Sequence, residues 1–436
     1  MTLLDLLPTM GKAAPRRLDP ALWPTTASCD EGGRICVGGV PLTDVADEFD
    51  TPAYVIDEAD FRQRARRCRK VLRDVELVYP GKALPATAAA CWAREEGLGI
   101  DVSSPGELAV ALAGGVDPAR IVMHGNAKSP AELRQAVAVS VGRIVLDSDI
   151  EIAYLAGLAR RRQKVLIRVT PDLDVHGQRS WAAISAEFGF ALDRGQAVDA
   201  VGRVLAHPIL DLVGLHCHLP SRGSHAADAA WFGEAIHRMI AAMADIRARH
   251  GVILTELHIG GGLPQRRGFD LGELAAVVED ALDEGCAAEH FPRPTVVVEP
   301  GPAIIAQAGV ALYRVCSVQN RPSGRVVVTV DGSIGDPVSV ALANRHPLVN
   351  RQVVTVADRH CVAGEEIVRD VELPADVRPG DLLAVAGIPA HHGVASNLVG
   401  RPPLLALNRG RVRELVRRET VNDLLSRDCL AVERGA

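Results

Sequence analysis

Short apolar runs recur along the first 300 residues, and each one stops at a polar or glycine residue. Between several of these runs the apolar residues follow helical spacing, as in 105–113, 130–137, 151–161, 226–249 and 271–284. Strand-like runs that alternate with helix-like segments are typical of parallel β/α units. The strand-like runs lead to eight polar or glycine sites, which are Lys82, Asp101, His124-Gly125-Asn126, Asp147-Ser148, Arg168, His216-Cys217-His218, Gly260-Gly261-Gly262 and Glu299-Pro300-Gly301.

This alternation predicts an α/β fold whose core is a (β/α)8 TIM barrel over residues 51–304. An open doubly wound sheet would alternate in the same way, so periodicity alone leaves that fold open. A barrel is favoured because all eight strand ends carry chemically capable groups, whereas an open sheet concentrates such groups at one switch point. In a barrel these side chains would gather at one rim and form an active site.

The pattern changes after about residue 305, where helical spacing nearly disappears. Five β-rich runs separated by turn residues follow, at 310–318, 325–331, 351–357, 381–386 and 403–407. They predict a C-terminal all-β domain over residues 305–436. We expect the N-terminal arm, residues 1–50, to contribute to this domain through the strand-like run 34–37. The length agrees, because 436 residues exceed the roughly 250 of a lone barrel.

Composition narrows the functional classes. A net charge of −6 and a pI near 6.2 give no case for nucleic acid or an anionic membrane. The nine cysteines show neither Cys-x-x-Cys nor Cys/His ligand spacing, so we expect no disulfide framework and no metal site. The N-terminus does not resemble a secretory signal and no 18-residue apolar run occurs, which favours a cytoplasmic enzyme. Two arginine-rich segments, 64–70 and 160–164, are interpreted as solvated helix faces in preference to docking patches.

The strand ends suggest a phosphorylated aldehyde as cofactor. Lys82 follows the first strand, and glycine-rich turns follow the seventh and eighth, where barrels usually bind phosphate through backbone N–H groups. Glu299 could accept a hydrogen bond from a pyridine nitrogen and keep it protonated, which makes pyridoxal phosphate an electron sink. His218 and Ser221 would supply a ring to stack on the cofactor and a hydroxyl for its phosphate. Each signal is common by itself, so the prediction depends on their combination.

Taken together and in sequence order, these motifs resemble one family, the fold type III pyridoxal-phosphate decarboxylases of the diaminopimelate and ornithine decarboxylase group. The similarity covers about residues 35–425 and is greatest to the diaminopimelate branch. It is carried by Lys82, Asp101 with Glu107, the run from His124 to Ser129, Phe188-Gly189-Phe190, the run from Gly214 to His218, the glycine triplet Gly260-Gly261-Gly262, Glu299-Pro300-Gly301 and Cys361.

The resemblance implies specific roles. Lys82 is expected to form the Schiff base, His218 to stack on the ring and Glu299 to pair with the pyridinium. Cys361 is expected to reach the active site of a partner subunit and protonate the product carbanion, so the implied assembly is a head-to-tail homodimer with shared sites. The other implied cofactor-binding residues are Asp101, Arg168, Ser221, Gly260, Gly261, Gly262, Pro300 and Gly301.

The chain departs from the family where the substrate would bind. The family carries an arginine after Glu-Pro-Gly and an Arg-Pro-x-Leu-Tyr segment, and this chain has Pro302 and the run from Ser339 to Ala343. Val362 replaces an acid that meets a distal ammonium group, and His391-His392 stand where a tyrosine is usual. The implied substrate pocket consists of Pro302, Ser339, Ala343, Val362, Glu365, His391 and His392, with the two histidines open to a second interpretation as surface loop residues.

These departures change the expected substrate. A charged distal group in such a pocket would lose its hydration without gaining a partner, which costs roughly several kcal/mol. We therefore expect α-decarboxylation of an amino acid with a neutral or masked distal end, for example one tethered to an acyl carrier protein in natural-product biosynthesis. Three alternatives stay open: decarboxylation of a free diamino acid such as diaminopimelate, amino-acid racemisation on the same barrel, and cofactor binding without catalysis.

Overall fold

The computed structural model describes residues 18–171, 173, 188–192, 195–219, 229–263, 270–332, 339–344, 350–359, 366–387 and 400–427. The chain divides into two compact units. One comprises residues 64–304, and the other comprises residues 1–63 together with 305–436. Within the ranges described, no helix combines the length and the apolar content that crossing a membrane requires.

The N-terminal segment carries short strands and two helices. Its elements are β1 (Ser28–Cys29), β2 (Ile35–Val37), β3 (Val40–Pro41), α1 (Leu42–Phe49), β4 (Ala53–Asp57) and α2 (Glu58–Val71). The first three strands form an antiparallel sheet of their own. The backbone N–H of Ile35 also donates to the carbonyl of Ala343 at 2.9 Å, so this segment is bonded to the C-terminal part of its unit.

Residues 64–304 contain a closed ring of eight parallel strands, which confirms the predicted barrel. The strands are β5 (Val75–Pro80), β6 (Gly99–Val102), β7 (Ile121–Met123), β8 (Arg143–Leu146), β9 (Gln163–Thr170) with the short β10 (Phe190–Ala191) beside it, β11 (Leu210–His216), β12 (Glu256–His258) and β13 (Thr295–Val298). The ring closes because β13 pairs with β5, placing Val296 opposite Val75. All eight predicted strand ends are therefore brought to one rim.

Helices alternate with these strands, and all five helices predicted from spacing are present. The helices of this part of the chain are α3 (Thr87–Glu95), α4 (Pro105–Ala113), α5 (Pro130–Val139), α6 (Asp149–Leu158), α7 (Gln196–Leu205), α8 (Ala229–His250), α9 (Leu271–Ala288) and α10 (Pro302–Ile305), of which α4, α5, α6, α8 and α9 are the predicted ones. Local sequence explains where they begin. Ser129 and Glu132 form a capping box at the start of α5, and the Asp270 carboxylate accepts from the N–H of Gly272 at the start of α9.

The interior of the barrel is apolar in part and ionic at one end. Branched side chains from six strands pack together there, namely Val78, Val122, Val145, Leu166, Val213 and Val297. Side chains from opposite strands of a ring meet only inside it, so this cluster fills the barrel in the manner of other TIM barrels. Toward the N-terminal ends of the strands, Arg143 forms ion pairs with Glu76 and Glu256. The candidate catalytic groups lie at the other end.

The second unit is built on a large sheet, which confirms the predicted all-β domain. Its C-terminal elements are β14 (Gly309–Asn320), β15 (Val326–Val330), β16 (Ser339–Leu342), β17 (Arg351–Asp358), β18 (Glu366–Pro374), β19 (Leu382–Ala386), β20 (Leu404–Asn408), β21 (Arg411–Val416) and α11 (Val421–Leu425). The sheet runs in the order β18-β17-β15-β14-β4-β20-β21, and β19 joins β14 to β16. The strands β16, β18 and β21 lie outside the predicted runs, and in β18 and β21 exposed polar positions interrupt the apolar pattern.

The predicted domain boundary at residues 50/51 differs from the observed division at 63/64. The difference comes from β4, which pairs antiparallel with β14 and parallel with β20 and so belongs to the large sheet. All five residues of β4 are buried. A continuous apolar run of this kind is also what a barrel strand shows, so the pattern could not assign it to the correct unit.

Candidate active site

Lys82 lies at the rim directly after the first barrel strand. A single 3₁₀ turn, Gly81–Ala83, follows β5 and carries the lysine, whose side chain is exposed. In the neighbouring strand Asp101 pairs with Pro80 and is buried. Burial, reinforced by the charge of Glu299, raises the pKa of Asp101 to about 6, while the Lys82 ammonium opposes this shift. The lysine and the buried carboxyl group are therefore electrostatic neighbours.

Glu299 is a buried carboxylate held by two imidazoles. Its Oε1 lies 3.1 Å from Nε2 of His124 and 3.5 Å from Nε2 of His216. Burial alone would raise the pKa of Glu299, but the charges and hydrogen bonds of the two histidines outweigh burial and hold that pKa well below its usual range. The carboxylate is consequently ionised, which is the state required to keep a pyridine nitrogen protonated.

His218 lies on the other side of this carboxylate. Its Nδ1 is 3.9 Å from Oε2 of Glu299, and it is also 3.4 Å from the backbone nitrogen of Gly261, which donates to it. Burial lowers the pKa of His218 to about 4, and the nearby Lys82 charge acts in the same direction. The ring is therefore neutral and half-buried, as a ring that stacks on an aromatic cofactor would be.

Two positions of the glycine triplet after β12 require glycine. Gly260 and Gly262 have φ values of +68° and +87°, in the left-handed region that other residues rarely adopt. A Cβ on Gly260 would stand 2.5 Å from the carbonyl oxygen of Cys217, and one on Gly262 would stand 2.1 Å from that of Leu219. The turn thus brings its backbone against the end of β11, at the rim position where backbone N–H groups can bind an anion, although the N–H of Gly261 already donates to His218.

A buried ion pair fixes the loops after β7 and β8. The Lys128 ammonium lies 2.9 Å from Oε2 of Glu151 and donates to the carbonyl of Val145, while Glu151 accepts from the backbone N–H groups of Lys128 and Asp147. Arg168 is oriented by these loops, since it donates to Oδ1 of Asn126 at 2.7 Å. Among the described residues, His124, Asn126, Lys128 and Glu151 were not predicted to have these roles, although three of them lie in the run from His124 to Ser129.

The remaining predicted residues fall into three groups. Pro300 and Gly301 follow Glu299 at the rim, and Pro302 opens α10. Ala343 is fully buried in the apolar core of the second unit, and Ser339 begins β16. Six predicted residues lie outside the described part of the chain, namely Ser221, Cys361, Val362, Glu365, His391 and His392.

The described rim residues fit pyridoxal phosphate. An exposed amine, a buried ionised carboxylate, a neutral imidazole and a tight glycine turn lie at the ends of the first, eighth, sixth and seventh strands. Each matches one part of the cofactor: the aldehyde, the ring nitrogen, the ring face and the phosphate. The fold and this set of groups define a pyridoxal-phosphate enzyme built on a TIM barrel.

Comparison with known proteins identifies the family. The model of the pyridoxal binding domain of pyridoxal-dependent decarboxylases matches residues 58–306, and the chain belongs to this family. A diaminopimelate decarboxylase of Actinosynnema pretiosum subsp. auranticum is 44% identical over 98% of this chain and 100% of its own length. That of Mycobacterium bovis is 39% identical over 94% of this chain and 98% of its own.

A solved structure shows the same fold. Diaminopimelate decarboxylase from M. jannaschii, in complex with L-lysine, superposes with a TM-score of 0.85 at 23% identity and covers 93% of this chain and 98% of its own. The family model and the sequence relatives establish a pyridoxal-phosphate-dependent amino-acid decarboxylase. The racemase and the non-catalytic binding protein considered from the sequence are set aside.

Proposed function

We propose that the chain removes the α-carboxylate of a free diamino acid of the diaminopimelate type. The observation that carries the proposal is its 44% identity, along nearly the whole of both chains, to a diaminopimelate decarboxylase. The rim chemistry agrees, because an ionised Glu299 beside a neutral His218 suits carbanion chemistry at a protonated ring. This proposal replaces the carrier-bound substrate expected from the sequence.

The two arginine-rich segments, 64–70 and 160–164, give little support to the hypothesis of a carrier-protein partner. Arg66 donates two hydrogen bonds to the carboxylate of Glu96, at 2.7 and 2.8 Å, and Arg69 donates to the carbonyl of the same residue. In the second segment Arg162 pairs with Asp211 at 2.9 Å. These arginines have intramolecular partners, so the interpretation as solvated helix faces suffices.

Each rim residue has a defined task in the proposed reaction. Bound pyridoxal phosphate supplies the electron sink into which the bonding electrons move as CO₂ leaves. Lys82 supplies the amine that would hold the cofactor aldehyde, and the Glu299 carboxylate would hold the proton of the ring nitrogen. His218 would support the face of the ring, and the glycine turn would offer backbone N–H groups to the phosphate. Holding the ring rigidly lets the protein fix the orientation of the scissile bond.

The assembly is proposed to be a homodimer with shared active sites, as the family resemblance implies. In that arrangement Cys361 would protonate the product carbon in the site of the partner subunit. A heterodimer test is direct: mixing inactive Lys82→Ala chains with inactive Cys361→Ala chains should restore about a quarter of the activity, because one of the two shared sites in a mixed dimer is then intact. Absence of any restored activity would contradict shared sites.

One observation favours a second candidate, an amino acid with a neutral distal end. Pro302 follows Gly301, which lies so close to the first strand end that a Cβ on it would be 3.0 Å from Cγ of Pro80. The position where the family carries an arginine is therefore at the rim, and here it has no charge. A distal carboxylate would lack this partner.

Substrate turnover by the holoenzyme separates the two candidates. Purified enzyme is given meso-diaminopimelate, L-lysine, L-ornithine or L-glutamine, and released CO₂ is measured, with Lys82→Ala as the inactive control. The proposal expects diaminopimelate to have the highest kcat/KM. Preference for glutamine, together with a gain toward diaminopimelate in Pro302→Arg, would overturn it in favour of the neutral-ended substrate.

A further inference from the structure

Three buried imidazoles lie in a row inside the barrel. The ring centroids of His124 and His216 are 4.7 Å apart, and those of His216 and His258 are 6.3 Å apart. His216 and His258 are almost completely buried, with 1% and 0% of their surface exposed. A buried imidazole needs a hydrogen-bond partner to offset its lost hydration. The group beside each ring nitrogen therefore indicates where the imidazole proton lies.

The two inner rings serve different carboxylates. Nε2 of His216 approaches Oε1 of Glu299 at 3.5 Å, whereas Nε2 of His258 approaches Oε2 of Glu256 at 3.1 Å. Glu256 is also paired with Arg143, at the N-terminal end of the barrel. His216 is thus directed at the cofactor end of the barrel and His258 at the opposite end.

The protonation state of both rings follows from their surroundings. Burial lowers the pKa of His216 well below its usual value, against the opposing effect of Glu299, and burial likewise lowers that of His258. A neutral imidazole carries one N–H, and the carboxylate beside Nε2 accepts it. Nδ1 of His258 is buried and has no hydrogen-bond partner among the described residues, as a bare ring nitrogen would be. Neither ring nitrogen of His216 meets the full geometry of a hydrogen bond there, so the 3.5 Å approach of its Nε2 to Glu299 indicates which nitrogen carries the proton.

We propose that His216 is a positioning residue that acts through Glu299. Its Nε2 and that of His124 both approach Oε1 of the carboxylate, at 3.5 and 3.1 Å. The second oxygen, Oε2, faces His218 and is left for the ring nitrogen of the cofactor. His216 thereby fixes both the orientation and the ionisation of the group that keeps the ring protonated.

Other charged groups around this carboxylate bear on its pH dependence. From the neighbouring strand ends, Glu299 interacts electrostatically with Asp101, and the half-buried His218 lies on its open side. His216 in turn lies near the positive charge of Arg168. Because Asp101 itself has a raised pKa, its titration must be separated from that of Glu299, and an Asp101→Asn background does so.

The tautomer can be read without turnover. In holoenzyme labelled with ¹⁵N-histidine, long-range ¹H–¹⁵N correlation at pH 7 should show His216 and His258 as neutral Nε2–H rings, assigned by their loss in His216→Asn and His258→Leu. A charged His216, or one protonated at Nδ1, would overturn the proposal. One equivalent of a divalent metal in the purified protein would also overturn it, because the donor atoms of His124, His216 and Glu299 all lie within 4.8 Å of one another.

The effect on the cofactor is measured by absorption. In His216→Leu the carboxylate loses a donor, so the ring nitrogen is less protonated and the lysine–cofactor linkage becomes more basic. The pH at which the visible band changes should rise by about one unit, a tenfold change in a proton equilibrium. His216→Asn, which keeps an N–H donor, should restore most of the wild-type midpoint.

His258→Leu is the matched control. It removes a buried imidazole of the same row, but one whose hydrogen bond goes to Glu256, so it should destabilise the barrel without moving the spectral midpoint. An unchanged midpoint in His216→Leu, or an equal shift in His258→Leu, would refute positioning through Glu299. Both outcomes differ from failure of the proposed substrate, which would leave the spectrum and the tautomers unchanged.

Discussion

Replacing Lys128 with methionine tests whether the buried ion pair stabilises the rim. Lys128 and Glu151 are 3% and 0% exposed, and the ammonium also donates to the carbonyls of Gly125 and Val145. Methionine keeps a side chain of similar length but removes the charge. Glu151 would then be a buried carboxylate with only the backbone N–H groups of Lys128 and Asp147 as donors.

The size of the effect follows from this geometry. Breaking one side of a buried ion pair typically costs about 3–5 kcal/mol, because the remaining charge is left without its partner. The double variant Lys128→Met/Glu151→Gln removes both charges and keeps an amide oxygen for one of the two backbone donors, which bind different oxygens of Glu151. We therefore expect the double variant to be more stable than Lys128→Met, with a coupling of about 1–3 kcal/mol.

Urea unfolding of the two single variants and the double variant measures this coupling. Hydrogen exchange should localise the change to α5, β8 and the loops that follow β7 and β8. Suppose that Lys128→Met lowers the free energy of unfolding by less than about 1 kcal/mol, or that the effects of the two single substitutions simply add. The ion pair then does not stabilise these loops. In that case the orientation of Arg168 through Asn126 would need another explanation.

Two further predictions address the turn and the rim. Gly262→Ala should weaken cofactor binding at least about tenfold, because the added Cβ would meet the Leu219 carbonyl at 2.1 Å. Gly195→Ala is the control, since Gly195 has a similar positive φ but no neighbour within 4 Å of an added Cβ. Fluorescence titration with pyridoxal phosphate measures both, and equal losses of affinity would contradict a packing effect. Burial raises the pKa of Asp101 from 3.8 to about 6, so the folded state binds more protons and its stability falls as pH rises through that interval. Asp101→Asn should therefore gain stability relative to wild type between pH 4 and pH 7 in urea unfolding, and parallel pH profiles would disprove it.

The sequence predicted the barrel well because each strand end is marked twice. An apolar run defines the strand, and a functional group such as Lys82 or Glu299 marks where it stops. β4 was assigned to the wrong unit because a fully buried strand reads alike in a barrel and in a large sheet. Pairing partners far apart in the chain decide that assignment, and no local pattern encodes them.

The residues expected to contact the cofactor could be predicted more fully than the residues that hold them in place. Residues that would meet the cofactor directly belong to chemically distinctive types, so Lys82 and Glu299 stand out. His124 and His216 act on Glu299 from other strands, and their closeness exists only after the ring has closed. Ala343 shows the opposite difficulty. It was placed in the substrate pocket by alignment with a family motif alone, and in the structure it lies in the apolar core of its unit.

The closing pair of barrel strands also has a consequence for biosynthesis. Lys82 follows the first strand and Glu299 the last, so the two anchoring points for the vitamin-derived group are separated by more than two hundred residues of chain yet depend on one seam, β5 against β13. A nascent polypeptide released before that seam forms would display the nucleophilic amine without its acidic counterpart. Protonation of the cofactor ring nitrogen during refolding, which requires Glu299, would thus report ring closure, a long-range and intrinsically slow event.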